Sequence, residues 1–306
     1  MNIMPSVILV HVGNVFVDYI NDSIEQIQKF NDCKIYLVIS KKHFEKIQSN
    51  VILVAIEDLK QSANHVAFLS TSERDNNFRD GFWKSVVERF YYIEDVILEY
   101  DLKNVFHFEN DVMIYCDLKM ILSTLIENKI NMAAPFDNDS RCIPSFVYFN
   151  GNEVLSQLNK FMFEFPNYND MELIAMFNKR YNLISTLPVI PHNYDLELKS
   201  KSGLIAKDRS KYSENFDKFN SVFDAAAIGQ YLGGVDSRNL KLNFFVNFFK
   251  KKTKFINESA VYDVSNFDYY WQEDEFKRKI PYLKYKGINF KINNLHIHSK
   301  QLNLFK

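Results

Sequence analysis

The sequence predicts an α/β fold with a mostly parallel central sheet and helices on both faces. Three observations lead there. Short, continuous apolar runs of buried-strand type recur through the first third of the chain. Segments with apolar residues at helical spacing separate them. Strand, helix, strand, repeated, is the order that parallel pairing with crossover helices requires.

The elements follow in order. "SVILVHV" (Ser6–Val12), "KIYLVIS" (Lys34–Ser40) and "VILVAI" (Val51–Ile56) read as the first three strands. "INDSIEQIQKF" lies between the first two, with Ile20, Ile24 and Ile27 on one helical face and Asp22 and Glu25 in a capping-box pattern. "RDGFWKSVVERFYYIEDVILEYD" predicts a longer helix whose apolar face is Trp83, Val86, Val87, Phe90 and Ile97. "NVFHFENDVMIY" (Asn104–Tyr115) reads as a further strand. The second half is less regular. "NDMELIAMFNKRY" predicts a helix capped by Asn169 or Asp170, and "FDAAAIGQYL" a helix with Asp224 near its start. One domain over 1–306 is expected, with a nucleotide-sugar-binding half over about 1–115 and an acceptor-binding half over about 116–306.

Composition narrows the function. The 306 residues carry 37 Lys and Arg against 38 Asp and Glu, so no global field attracts nucleic acid. With 8 Gly and 7 Pro, a collagenous chain or a flexible linker is excluded. The opening "MNIMPSVILVHVGN" has no basic n-region, and no run reaches the roughly 20 apolar residues of a membrane span. Three cysteines without CxxC spacing read as reduced thiols. A cytoplasmic protein is the expectation. The aromatic, basic stretch over 240–255 is read as a buried strand with a solvated lysine turn, against a peripheral membrane contact as the alternative.

Two clusters carry chemistry. Glu109 and Asp111 close the "VFHF" strand, where open α/β sheets bind ligands, and period-two alternation puts both on one side with Asn110 opposite. Paired carboxylates grip a hard divalent cation; solvated turn residues are the alternative. In "NNLHIHSK", His296 and His298 share a face, with Lys300 continuing the alternation. Imidazole with carboxylate suits manganese, zinc or iron, and a neighbouring ammonium suits phosphate.

Together the clusters resemble the GT-A type of nucleotide-sugar glycosyltransferase. "GFWKSVVERFYYIEDVILEYDLKNVFHFENDVMIY", "FDAAAIGQYLGGVDSRN" and "NNLHIHSK" look like segments of nucleotide-diphospho-sugar transferases of bacteria and large viruses. The triplet departs from the family's D-x-D, reading Glu-Asn-Asp. The resemblance implies a GT-A-like fold with a Rossmann-like nucleotide-binding half, a UDP-sugar as donor, and a glycan or glycoconjugate as acceptor. Asp111 would bind Mn²⁺ or Mg²⁺, and Glu109 would hold the ribose or the metal shell, with Asn110 between them. One of His296 and His298 would complete the coordination, His298 being preferred for its nearness to Lys300, which would neutralise the diphosphate. Asp137, in "AAPFDNDS", lies where related transferases contact the donor sugar. Asp224 resembles the base that activates the acceptor, with Asp236 in reserve.

Other positions are read from the residues alone. His11, Gly13 and Asn14 follow the first strand, where a nucleotide or an ordinary turn would sit. Arg79 and Lys84 flank the start of the long helix and reach either phosphate or solvent. The sequence lacks G-x-S-x-G, G-x-x-x-x-G-K-[ST] and G-x-G-x-x-G, which sets aside common serine hydrolases, P-loop enzymes and classical dinucleotide binders. Two alternatives remain: a metal-dependent hydrolase built on the H-x-H pair, and a nucleotide-sugar-binding protein without turnover.

Overall fold

The computed structural model describes residues 4–71, 81–198, 200, 202, 204–234 and 259–306. Arg79, Asp236 and the 240–255 stretch lie outside the described residues. In chain order the elements are β1 (Ser6–His11), α1 (Tyr19–Phe30), β2 (Lys34–Ile39), β3 (Ile52–Ala55), α2 (Ala63–Thr71), α3 (Phe82–Glu99), β4 (Val105–Phe108), β5 (Val112–Ile114) and α4 (Leu118–Glu127). Then come β6 (Met132–Asn138), β7 (Arg141–Cys142), β8 (Phe146–Phe149), α5 (Asn152–Glu164), α6 (Asp170–Tyr181), β9 (Ser185–Leu187), α7 (Phe216–Phe219), β10 (Ser221–Val222) and α8 (Ala227–Gly233). The chain closes with β11 (Asp268–Glu273), β12 (Lys279–Tyr285), β13 (Ile288–Ile292) and β14 (Asn294–His296).

The main sheet has eight strands in the order β3-β2-β1-β4-β8-β6-β7, with β9 against β6. Pairing is parallel from β3 through β4 and again between β6 and β9, while β8 and β7 run the other way. The carboxyl ends of β1, β4 and β6 therefore share one edge. Side chains of β1 divide by parity. Val7 and Leu9 pack with α1 and α4 residues such as Ile24 and Leu122, while Ile8 and Val10 pack with α3 and α5 residues such as Phe90 and Leu158. Helices thus cover both faces, which is why the strands read as unbroken apolar runs.

A four-stranded sheet, β10-β13-β12-β11, and a two-stranded ribbon, β14-β5, complete the fold. The ribbon leaves one edge of β5 without a strand partner. Two buried polar side chains of α1 satisfy it: Ser23 Oγ donates to Val112 O at 3.0 Å and Gln26 Nε2 to Ile114 O at 3.1 Å. The expected capping box of α1 is absent. The helix begins earlier, after Asp18, and Asp22 and Glu25 instead pair with Lys306 at 2.6 and 2.5 Å. For α6 the expectation holds, since Asn169 and Glu172 form a reciprocal capping box. The three cysteines are free thiols, and no helix among the described residues is long and apolar enough to cross a membrane.

The long helix differs from its expected single apolar face. From Val87 to Ile97, α3 is buried all round, with Glu88, Arg89, Glu94 and Asp95 inside. Each of these charges therefore requires an internal partner. Asn64 and Asn159 donate to Glu94 at 2.9 and 2.7 Å. His65, fully buried, places Nδ1 2.5 Å from Asp95 and Nε2 3.6 Å from Glu88. Burial lowers the imidazole's pKa, but the two carboxylates outweigh it and raise the value to about 8. The folded value lies above the ordinary 6.5, so this stabilisation is complete below pH 6.5 and is lost as pH rises through about 8. Urea unfolding midpoints should accordingly fall over that window, and His65→Asn should flatten the fall. An equally steep decline in the variant would assign it to other groups.

Candidate active site

The acidic triplet occupies a turn. β4 ends at Phe108, Val112 N–H donates to Glu109 O at 3.0 Å, and the chain leaves the main sheet for the ribbon. Strand alternation therefore does not align the carboxylates; the turn brings them together. Asn110 faces back into the sheet, donating from Nδ2 to Val10 O at 2.8 Å, and so ties the turn to the end of β1.

β14 brings the other half of the site. It runs antiparallel to β5 with His296 opposite Val112, and Ile297 N–H donates to Asp111 O at 2.9 Å. This register sets His296 Nε2 3.2 Å from Asp111 Oδ2 and 3.3 Å from Glu109 Oε2, across 185 positions of sequence in the first case. One ligand atom from each of Glu109, Asp111 and His296 lies within 4.8 Å of the others. Lys300, in a left-handed turn with φ 63°, folds its ammonium onto Asp111 Oδ2. The ammonium also lies 5.8 Å from the centre of the Tyr19 ring.

Arg89 joins this cluster without being marked out by any motif in the sequence. Its Nη1 donates to Glu109 Oε1 at 2.5 Å and its Nη2 to Asp170, the first residue of α6. In sequence it is one charge among several on a helix. The available signal was that Glu88 and Arg89 interrupt a segment otherwise apolar enough to be buried.

The charges compensate one another. Burial disfavours ionised Asp111, but His296 and Lys300 outweigh it and hold the carboxyl well below the usual range. Burial likewise disfavours ionised Glu109, whose pKa Arg89 and His296 bring down. Burial lowers the pKa of His296, while Asp111 and Glu109 raise it to about 9. His298 is different. Burial and the charge on His296 push it down to about 3, so its ring is neutral. It stands 4.3 Å from the His296 ring, with Nδ1 2.7 Å from Gln230 Nε2, and its buried Nε2 has no hydrogen-bond partner among the described residues. Thus His296, and not His298, meets the carboxylates, and the three-residue group does not include His298.

Asp224 is placed behind the site rather than facing it. It is fully buried, and both carboxylate oxygens are taken by backbone donors: Ile228 N–H at 3.0 Å, Gly229 N–H at 2.8 Å and His296 N–H at 3.0 Å. Neither oxygen is open to an acceptor hydroxyl, so the geometry makes Asp224 a clamp on β14. Asn294 exchanges hydrogen bonds with its backbone, and His296 Nδ1 lies 3.1 Å from Ala225 O. The small residues of α8 permit a close approach, as their sequence suggested. Gly229 packs directly on the His296 backbone.

The remaining candidates are scattered along the same edge. His11 turns its Nε2 to Val15 O at 3.0 Å, Gly13 lies against the His11 ring, and Asn14 accepts from Lys42 at 3.3 Å. Asp137, next to last in β6, is a buried carboxylate that accepts from Asn138 Nδ2 at 2.7 Å. Lys84 is half-buried on the first turn of α3.

Among solved structures, mouse xyloside xylosyltransferase 1 in its apo form is similar over 60% of this chain and 84% of that one, at 8% identity and a TM-score of 0.45. The glycosyltransferase GlyE of Streptococcus pneumoniae TIGR4 is similar over 61% of this chain but 45% of that one, at 13% identity and a TM-score of 0.40. The PaToxG glycosyltransferase is similar over 57% and 68%, at 10% identity and a TM-score of 0.34. No protein-family model and no curated protein matches the sequence. The functional reading rests on the side chains of the site.

Replacing Gly229 tests the close approach. A Cβ there would lie 2.1 Å from His296 O, a backbone atom that cannot swing aside. Glycine to alanine inside a helix ordinarily stabilises by roughly 1 kcal/mol. Here overpacking should reverse the sign and cost about 1–3 kcal/mol. The urea midpoint of Gly229→Ala should therefore fall; a rise would show that α8 and β14 separate at no cost.

Proposed function

We propose that this chain is a metal-dependent glycosyltransferase of the GT-A type. It moves a sugar from a nucleotide diphosphate sugar, with a UDP-sugar as the first candidate, to a hydroxyl of a glycan or glycoconjugate. One observation carries the reading: Glu109, Asp111, His296 and Lys300 converge at the carboxyl edge of a mostly parallel sheet. A cation-binding set and an ammonium side by side are what a departing diphosphate needs.

The donor set fits a divalent cation. Two carboxylates and one imidazole suit Mn²⁺ better than Mg²⁺, which keeps to oxygen ligands and water. Glu109, Asp111 and His296 would hold the ion, which supplies positive charge against the oxygens of the leaving nucleoside diphosphate. Ligation through His296 Nε2 requires the bare lone pair, so a proton and a cation compete for that atom. Arg89, anchored on Asp170, fixes the orientation of Glu109. Asp224 fixes the backbone of His296 and aims its ring. Lys300, reaching over Asp111, is placed to turn its ammonium to a phosphate oxygen.

His11, Gly13, Asn14 and Asn110 form the nucleotide side of the edge in this reading, and Asp137 the donor-sugar side. With Asp224 closed off by its own hydrogen bonds, Asp236 is the remaining sequence candidate for activating the acceptor. The transferase reading is favoured over the hydrolase alternative because two carboxylates and Lys300, rather than His298, accompany His296.

Asp111→Asn keeps the shape of the turn and removes the charge. Thermal shifts with UDP or a UDP-sugar should depend on Mn²⁺ in the wild type and lose that dependence in the variant, since only a native-state ligand raises the midpoint. Wild-type Mn²⁺-dependent binding in Asp111→Asn would remove the metal assignment. Lys300→Ala should keep Mn²⁺ binding yet lower sugar transfer by about a hundred- to thousand-fold. Unchanged turnover there would free Lys300 of any role toward the diphosphate.

A further inference from the structure

A second site lies away from the cation cluster. A cavity of about 550 Å³ opens between α6, the end of β6 and residues 204–212. Lys179, Lys207 and Lys211 line it, with Asp139 as the carboxylate among them and exposed Ile205 on its wall.

The loop that carries two of these lysines is pinned to β6. Asp139 N–H donates to Ile205 O at 2.9 Å, Lys207 N–H donates to Asp139 Oδ2 at 2.9 Å, and Tyr212 OH donates to Asp139 Oδ1 at 2.9 Å. The Lys211 ammonium pairs with the same carboxylate at 3.0 Å. Asp139 is thereby committed to the loop and to one lysine. Lys179 and Lys207, both exposed, line the same cavity without an ion-pair partner among the described residues. Three lysines against one already paired carboxylate leave the concave surface net positive, which suits an oxyanion.

The cavity adjoins the opposite end of α6 from the residue that serves the cation cluster. Asp170, at the start of the helix, holds Arg89 against Glu109. Lys179 is nine residues further on, about 13 Å at the helical rise. One end of α6 therefore serves the cation cluster and the other the cavity.

We propose that this cavity binds an oxyanion carried on a sugar, a carboxylate or a phosphate, on the acceptor side of the reaction. The word acceptor rests on the transferase reading; oxyanion binding does not. Partly apolar walls suit a sugar ring, and the lysines select the charged substituent.

The test is titration of the full chain, without nucleotide or Mn²⁺, by glucuronate, glucose 6-phosphate, inorganic phosphate and glucose, followed by calorimetry or amide NMR shifts. Glucuronate, glucose 6-phosphate or both should bind, and glucose should not. A response to glucuronate assigns a carboxylate, and a response to glucose 6-phosphate alone assigns a phosphate. The double variant Lys179→Gln, Lys207→Gln should weaken that binding roughly ten- to hundred-fold and leave Mn²⁺-dependent UDP binding unchanged. Binding of glucose as tightly as the acids, binding of inorganic phosphate alone, or wild-type titration of the double variant would each overturn the proposal. Asp111→Asn separates the two readings. It should still bind the sugar acid, and loss of that binding there would move the oxyanion out of the cavity.

Discussion

Two carboxylates beside one another at the edge of a sheet form the constraint around which this structure is arranged. Glu109 and Asp111 lie mostly out of water, where a pair of like charges would ordinarily take up a proton or be driven apart. Neither happens, because cationic groups from three separate stretches of the chain converge on them. Arg89 comes from the middle of α3, His296 from β14 and Lys300 from the turn beyond it. Desolvating such a cluster is costly, and geometry that good is needed only to offset the cost. A cluster of this kind is weak evidence of stability and stronger evidence of chemistry.

That requirement accounts for much that surrounds the site. His296 can face the triplet only if β14 keeps its register against β5, since a slip of one residue would turn the ring away. Three residues are too few to hold a register by ladder bonds alone. Asp224 adds a side-chain clamp on the His296 N–H, and Asn294 binds the Asp224 backbone on both sides of its carboxamide. Gly229 lets α8 close on the strand. On the opposite edge, Ser23 and Gln26 occupy the free carbonyls of β5. These buried polar residues therefore hold one short ribbon, which keeps an imidazole over two carboxylates.

Which parts of this were legible in the sequence follows from the range of each interaction. The strands β1 to β3, the helix α6 with its Asn169 cap, and the placement of the triplet after β4 are local signals, carried by composition and period over a few residues. Pairing of the two clusters was also accessible, because carboxylate, imidazole and ammonium are chemically suggestive together. The turn at Glu109–Val112 was hidden, since "VFHFENDVMIY" is apolar on both sides and reads as one strand; only the departure of β5 to pair with β14 breaks it. Arg89 was hidden for a related reason. Its partners Glu109 and Asp170 come from distant segments, and nothing local separates a buried arginine from a solvated one. The choice between His296 and His298 turned on strand register, which sequence spacing does not contain. Asp224 looked like a base because it opens a helix of small residues; the three backbone donors that close it off belong to the tertiary fold.

The helix α6 shows how one element can meet both electrostatic demands without conflict. Asp170 in its first turn and Lys179 in its last are each favourable to the helix dipole, so the helix would gain from both whatever they touched. Asp170 also anchors the arginine that orients Glu109, and so helps to hold that carboxylate rigid. Lys179 lies on the lining of the cavity at the far end. A charge reversed at either end would oppose the dipole and the local site together, so helix stability and site chemistry constrain these two positions in the same direction. A donor held by a cation at one end and an acidic sugar held by lysines at the other would then be separated by a rigid element of set length. Fixed separation of this kind is how a site converts binding into orientation.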